Sequence, residues 1–563
     1  MKIVSFLFLI FIPLYGQNFP KNDFGVPLDI PLTLSGTFGE LRTNHFHSGV
    51  DFRTQFKEGL PVYAIADGYV SRIKISAYGY GKAIYIAHPN GYTSVYAHLQ
   101  YANSVIETYI KSKQYEAHSF EIDVFPLPSD LPVKQKEVIA YSGNTGSSGG
   151  PHLHFEIRDT KTEQPLNPLL FGYDTLIVDT KPPLINAIRV HPLNGSVVNQ
   201  SEEPVALSLS QQKDGHYVSE KILTNGSIGL SINTHDLSNA SWGKNGVYKI
   251  KMQCNGKKRF EITFDRFSFD ETKHINHYID YAHYHKTNNR FQKLFNTTAI
   301  PLSLVTNQPN DGMIDVSPNM SYNAIIVVED FHGNATKITI PIQFAQQIVK
   351  INKTPPLKYA IKSDVEHHFS KDDISVYIPE NGLYENTSVD FEVKKDGFVF
   401  GHGGIAIQKY VSIKVKVPEN VPDEILQQYF IGMKQGNKMI YQKTNIQNGN
   451  WSFFPRSLGE FKIVRDSIAP QIKEYNFKTG EWLSNTKTLE VLITDGLSGI
   501  QTYQGKLNGK WILFEYDYKN KKLIHDFNDG IVIEGKNELE VRVMDNVGNS
   551  TIFETHFFRS QKK

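Results

Sequence analysis

The chain has 563 residues, with 40% hydrophobic, 12% aromatic and 21% charged side chains, a globular composition with length for roughly three to five domains. A formal net charge of +1 removes any bulk electrostatic case for nucleic acid or an anionic membrane. Its single cysteine, Cys254, excludes an intramolecular disulfide and a multi-cysteine zinc cluster, so any metal site must use His, Asp or Glu.

The N-terminus, "MKIVSFLFLIFIPLYG", has one basic residue, Lys2, and then an apolar run from Ile3 to Tyr15. The run is too short to span a bilayer and fits the core of a secretory signal, so residues 1–16 are expected to be a signal peptide. No later apolar stretch reaches transmembrane length. The mature protein is therefore expected to be soluble and exported, with no transmembrane anchor after cleavage, in the periplasm or outside the cell. Residues 17–178 read as strand-rich. "AIYIAH" and "TSVYAHL" flank "PNGY", a glycine-containing hairpin turn. "SVIETYIKSKQYEA" (Ser104–Ala117) breaks the pattern: Val105, Ile106, Tyr109 and Ile110 fall on one helical face, which predicts a short amphipathic helix.

Three related junctions follow: "DTKPPLINAI" (Asp179–Ile188), "NKTPPLKYAI" (Asn352–Ile361) and "DSIAPQIKEY" (Asp466–Tyr475). Each sets a polar residue before a proline that stiffens the entry into a strand domain. Two turns echo one another, "VVEDFHGNATKITI" (Val327–Ile340) and "VRVMDNVGNSTIFE" (Val541–Glu554), both reading strand, Asp-x-x-Gly-Asn turn, strand. Alternating segments such as "ISVYIPE" between closely spaced turns predict antiparallel sandwiches. Residues 180–350 are read as an enlarged immunoglobulin-like β domain, 351–465 as a β-sandwich and 466–563 as an immunoglobulin-like sandwich. The fold class expected is all-β and multidomain.

Chemistry-bearing residues gather in the first domain. "HSGVD" supplies His47 and Asp51, "YAHL" supplies His98, and "GPHLH" supplies His152 and His154. Residues i and i+2 of a strand share a face, so His152 and His154 project together. A catalytic zinc takes three ligands of this type and keeps a position for water. The inventory covers that and leaves two imidazoles for proton transfer.

The combination resembles the M23 family of zinc metallopeptidases, the lysostaphin and LytM-type peptidoglycan endopeptidases. The matching stretches are "HFHSGVDF" (His45–Phe52), "GYVSRI" (Gly68–Ile73), "GYGKAIYIAHPNGYTSVYAHL" (Gly79–Leu99), "VKQKEVIAYSGNTGSSGGPHLHFEI" (Val133–Ile157) and "NPLLF" (Asn167–Phe171). The resemblance implies a LytM-like antiparallel sheet and one Zn2+ per chain held by His47, Asp51 and His154. It implies catalytic roles for His98 and His152 in activating water and stabilising the tetrahedral intermediate. It also implies an endopeptidase that hydrolyses the peptide cross-links of bacterial peptidoglycan, at a D-alanyl–diaminopimelate or a glycyl–glycine bond. His45 repeats the H-x-H spacing but has no Asp four residues on, and is read as flanking. Glu156 shares the strand face of His154, as a supporting partner or a solvated residue. The loop Ser142–Gly150 is expected to wall the substrate groove. An insertion near Asn103–Pro132 departs from the simplest members of the family and is expected to border the groove or to pack elsewhere. The alternative function is a non-catalytic wall-binding scaffold that activates another hydrolase. The C-terminal β domains offer surfaces for cell-envelope protein partners.

Overall fold

A computed structural model describes residues 19–239, 243–298, 302–307, 309–346, 359–419 and 421–560. The signal peptide expected at 1–16 and most of the second proline junction lie outside the described residues. The architecture is all-β, with strands far outnumbering helices. No helix among the described residues is long and apolar enough to cross a membrane.

The N-terminal domain is built on a nine-stranded sheet. In chain order its main elements are β1 (Leu34–Gly36), β2 (Val50–Arg53), β3 (Gly68–Ile75), β4 (Lys82–Ala87), β5 (Tyr92–Ala97), helix α1 (Ser104–Ala117), β6 (Ile122–Val124) and β7 (His152–Asp159). The spatial order along the sheet is β1-β2-β7-β5-β4-β3-β6, antiparallel throughout. The β4–β5 hairpin turns through Gly91, whose φ of 86° would strain a residue with a β-carbon. Strand β7 sits between β2 and β5. Its Leu153, Phe155 and Ile157 are fully buried in the core, where Phe155 meets Phe52 and Tyr96. The alternate residues His152, His154, Glu156 and Arg158 share the opposite face.

Asn103 caps α1 by accepting a hydrogen bond from the Ile106 amide. The helix buries Ile106, Ile110 and Gln114, a stripe at i, i+4, i+8. Val105, placed on the apolar face by the sequence pattern, is instead 65% exposed, because it lies one position off that stripe. The rest of the insertion returns β6 to the edge of the main sheet beside β3.

The second domain carries an eight-stranded and a five-stranded sheet. Its elements used below are β8 (Leu184–Pro192), β9 (Ser227–His235) and the hairpin β10 (Ser321–Glu329) and β11 (Ala335–Phe344). Its core runs on from that of the N-terminal domain. Phe46 packs against Phe264 and Phe267 at ring-centroid distances of 6.3 and 5.7 Å, and Cys254 is a buried member of the same cluster. Residues 359–465 form two five-stranded sheets over a core that includes Phe398, Trp451 and Phe461. The last domain has two four-stranded sheets, including β12 (Thr488–Thr494) and the hairpin β13 (Gly535–Asp545) and β14 (Ser550–Arg559). It contacts the N-terminal domain through α1. Lys111 pairs with Asp526 at 3.2 Å and Asp529 at 2.5 Å. The Tyr115 hydroxyl donates to Asp529 at 2.7 Å, and Trp511 meets the Tyr115 ring edge-on at 5.1 Å. Lys82 also pairs with Glu515 at 2.9 Å.

Candidate metal centre

Sheet register assembles the site. His154 of β7 stands directly opposite Asp51 of β2 on one side and opposite Ala97 of β5 on the other. His98 therefore follows immediately at the end of β5, where its φ of 58° turns the chain away. His47 lies three residues before the start of β2 at Val50. The ligand atoms of His47, Asp51 and His154 all lie within 4.8 Å of one another. His47 Nε2 is 3.0 Å from Asp51 Oδ1 and 3.0 Å from His154 Nδ1, and His154 Nδ1 is 3.0 Å from Asp51 Oδ1.

The outer ring nitrogens reveal what the inner ones present. His47 Nδ1 lies 2.8 Å from the Thr37 carbonyl, which can only accept, so that nitrogen carries the proton. His154 Nε2 lies 2.8 Å from the Glu156 carboxylate and is protonated in the same way. His47 Nε2, His154 Nδ1 and Asp51 Oδ1 thus point three lone pairs at one another from 3.0 Å. Such a set is repulsive unless a cation stands among them. Two imidazoles and one carboxylate are zinc donors, so the residues present fit a zinc ion. In the metal-free chain a proton meets the same demand: burial opposes the charge on His154, but hydrogen bonds to Asp51 and Glu156 outweigh it and hold this imidazole up at about 9. Burial likewise works against the Asp51 charge, and the surrounding His47, His152 and His154 still keep its carboxyl well below the ordinary range.

His98 and His152 stand beside this cluster, their ring centroids 4.8 Å apart. His98 Nδ1 donates to the Thr145 carbonyl at 2.9 Å, and His152 Nδ1 donates to the Gly150 carbonyl at 2.8 Å. Both Nε2 atoms are left as lone pairs. The Ser142–Gly150 loop therefore sets the tautomer of both imidazoles. Burial, with the neighbouring His154 and His152, pushes His98 down to about 3. His45 lies outside the cluster, exposed, with Nδ1 on the Thr43 carbonyl at 2.8 Å.

Glu156 is fully buried, not solvated. Besides His154 it accepts from Ser48 Oγ at 2.7 Å, from the Tyr80 hydroxyl and from Arg158 Nε at 2.6 Å. Burial alone would raise its pKa; Arg158 and His154 reverse the sign and hold it far below the ordinary range. Arg158 is covered by Phe269 of the second domain, 4.6 Å from ring centroid to guanidinium. Arg42 reaches the outer oxygen of Asp51, Oδ2, at 3.0 Å. Ser48, Tyr80, Arg42 and Arg158 went unseen in the sequence. The one available signal was the period-two polar row of "HLHFEIRD", which reads equally well as a solvated strand face.

Fold and geometry together define a β domain whose His47, Asp51 and His154, gathered on a sheet face, could hold one metal ion. Residues 45–120 and 112–168 match the family model described as Peptidase family M23, and residues 358–466 match one described as a Zu5-like domain. The N-terminal domain is thus the part of the chain that is similar to the M23 peptidase family. It is 33% identical over 160 residues to the DD-carboxypeptidase/endopeptidase Mpg of Neisseria meningitidis serogroup B, spanning 28% of this chain and 30% of that protein. An uncharacterized metalloprotease of Haemophilus influenzae is 37% identical over 147 residues, 25% of this chain and 26% of that one. The chain thus covers less than a third of the length of these relatives. The catalytic domain of lysostaphin from Staphylococcus simulans aligns with a TM-score of 0.18 at 26% identity, over 24% of this chain and 88% of that domain.

Proposed function

We propose that this chain is an exported, zinc-dependent endopeptidase that hydrolyses peptide cross-links of bacterial peptidoglycan. The cleaved bond is taken to be of the DD type, following the name of the Neisseria relative. The observation that carries the reading is the set of four imidazoles, each with one nitrogen pinned by a carbonyl or carboxylate, three of them turning the other nitrogen to within 3.5 Å of Asp51 Oδ1.

His47 Nε2, Asp51 Oδ1 and His154 Nδ1 would hold the zinc. Zinc there supplies Lewis acidity, polarising a carbonyl and lowering the pKa of water. The other work falls to the chain. His98 and His152 offer Nε2 lone pairs that take a proton from water and return it to the departing amine. The carbonyls of Thr145 and Gly150 keep both rings in the tautomer that does so. Asp51 stays ionised and supports the positive charge that forms on His152, whose Nε2 is 3.5 Å from its Oδ1. The β domains beyond residue 180 are free to engage wall or envelope proteins.

The test is mass analysis of fragments released from purified wall, with zinc content measured on the same protein. Wild type should hold one zinc per chain and release cleaved stem peptides. His154→Ala should lose zinc and turnover together. His152→Ala should keep zinc while turnover falls roughly 10²–10⁴-fold. Zinc-replete wild-type protein that releases no fragment would refute the enzyme and favour the scaffold.

A further inference from the structure

The two Asp-x-x-Gly-Asn turns close their domains in the same way. Between β10 and β11, Asp330 accepts from the Asn334 amide at 2.9 Å and from its side-chain nitrogen at 2.7 Å. That side chain also donates to the Asp179 carbonyl at 3.2 Å, and Thr336 Oγ1 donates to the Pro183 carbonyl at 2.5 Å. Between β13 and β14, Asp545 accepts from the Asn549 amide and side chain, both at 2.8 Å. Asn549 donates to the Asp466 carbonyl at 2.9 Å, and Thr551 Oγ1 donates to the Pro470 carbonyl at 2.5 Å. Each turn thus clasps its own proline junction with the same residue spacing and brings the junction aspartate beside the turn aspartate.

A third carboxylate arrives from the residue after a strand, Asp236 after β9 and Asp495 after β12. Oxygens of Asp466, Asp495 and Asp545 lie within 4.8 Å of one another, and ligand atoms of Asp179, Asp330 and His332 do likewise. None of these six aspartates forms an ion pair with lysine or arginine among the described residues. Lys181 turns its ammonium to the Ser238 carbonyl, 3.4 Å away.

Several buried polar atoms at these clusters have no protein partner. Among the described residues Asp236 Oδ1, Ser238 Oγ and Asn245 Oδ1 have no hydrogen-bond partner, although these residues are only 3–4% exposed. All three line one cavity of about 30 Å3 with Asp179, Asp330 and His332, space for a single ion. In the last domain Ser498 is 2% exposed and its hydroxyl is unpartnered too, beside an amide that donates to Asp466 at 3.0 Å.

We propose that the second and the last β domains each bind one calcium ion at this clasp. Asp179, Asp236 and Asp330 with Ser238 and Asn245 form one site; Asp466, Asp495 and Asp545 with Ser498 form the other. The duplicated donors are all hard oxygens, which suits calcium and its six to eight oxygen ligands. The one nitrogen donor, His332, has Val547 as its counterpart and is not part of the repeat. The first site also touches the peptidase domain, since Thr37, whose carbonyl fixes His47, lines the same cavity.

The experiment is metal analysis of the full, zinc-loaded chain dialysed against millimolar calcium chloride, paired with thermal melts with and without calcium. Wild type should take up two calcium ions beyond its zinc and melt higher with calcium. Asp236→Asn and Asp495→Asn should each lose one ion, and the double variant both, with zinc content unchanged. Ser238→Ala and Ser498→Ala, which keep every carboxylate, should weaken one site each. Wild-type protein that takes up no calcium, or that fills these sites with added zinc in preference to calcium, or aspartate variants that retain both ions, would overturn the proposal.

Discussion

Replacing Glu156 by glutamine tests how the site is supported without touching a direct donor. Four donors converge on this carboxylate: His154 Nε2, Arg158 Nε, the Tyr80 hydroxyl and Ser48 Oγ. A glutamine has one acceptor oxygen and brings two N–H groups of its own, so at least one donor is orphaned. It also takes from Arg158, a residue only 5% exposed, its buried counter-ion, leaving it the exposed Glu163 carboxylate at 3.5 Å. Breaking a buried pair from one side costs about 3–5 kcal/mol. At about 2–4 °C per kcal/mol for a domain of this size, the melting temperature should fall by roughly 6–20 °C. His154 loses the partner that fixes its ring, and zinc affinity should drop about 10–100-fold. Competition against a chromophoric chelator at neutral pH measures the affinity, and calorimetry measures the melt. A Glu156→Gln protein that binds zinc as tightly as wild type would show that the carboxylate does not position His154. An unchanged melting temperature would show that the buried pair contributes nothing to the fold.

Arg42→Ala frees Asp51 Oδ2 from its 3.0 Å partner and should weaken zinc binding about tenfold; an unchanged affinity would make Arg42 a bystander. Asp529→Ala removes the shared partner of Lys111 and Tyr115, at a cost of about 1–3 kcal/mol to the contact. Amide exchange over residues 104–117 should speed up, and unaltered exchange would argue that the last domain does not hold α1. Burial, with a smaller part from Lys293, lowers His277 to about 3, below its value in the unfolded chain. The unfolded state therefore binds the proton more readily, and the stability this group contributes is complete above about 6.5 and lost as pH falls toward 3. By pH 5 the loss should be about 2 kcal/mol, read as a lower melting temperature that His277→Gln, which does not titrate, shows less.

Much of this protein was legible in residue order because strands and helices are local objects. The period of two in "AIYIAH" and "TSVYAHL" marked β4 and β5 and the turn between them, and the periodicity of "SVIETYIKSKQYEA" marked α1. The spacing of His47 from Asp51 and of His152 from His154 put candidate ligands on strands, since strand geometry decides which neighbours share a face. Only the tertiary structure set His154 opposite Asp51, because pairing register depends on which strand lies alongside and not on either strand alone. It also buried the polar row of β7. In sequence Glu156 reads as either a supporting partner or a solvated residue; folding pairs it with Arg158 at 2.6 Å and brings Phe269 from another domain over that guanidinium. In the same way, aspartates scattered from 179 to 330 and from 466 to 545 acquire meaning only where folding brings like charges together, for burial and electrostatic strain are properties of neighbourhoods in space.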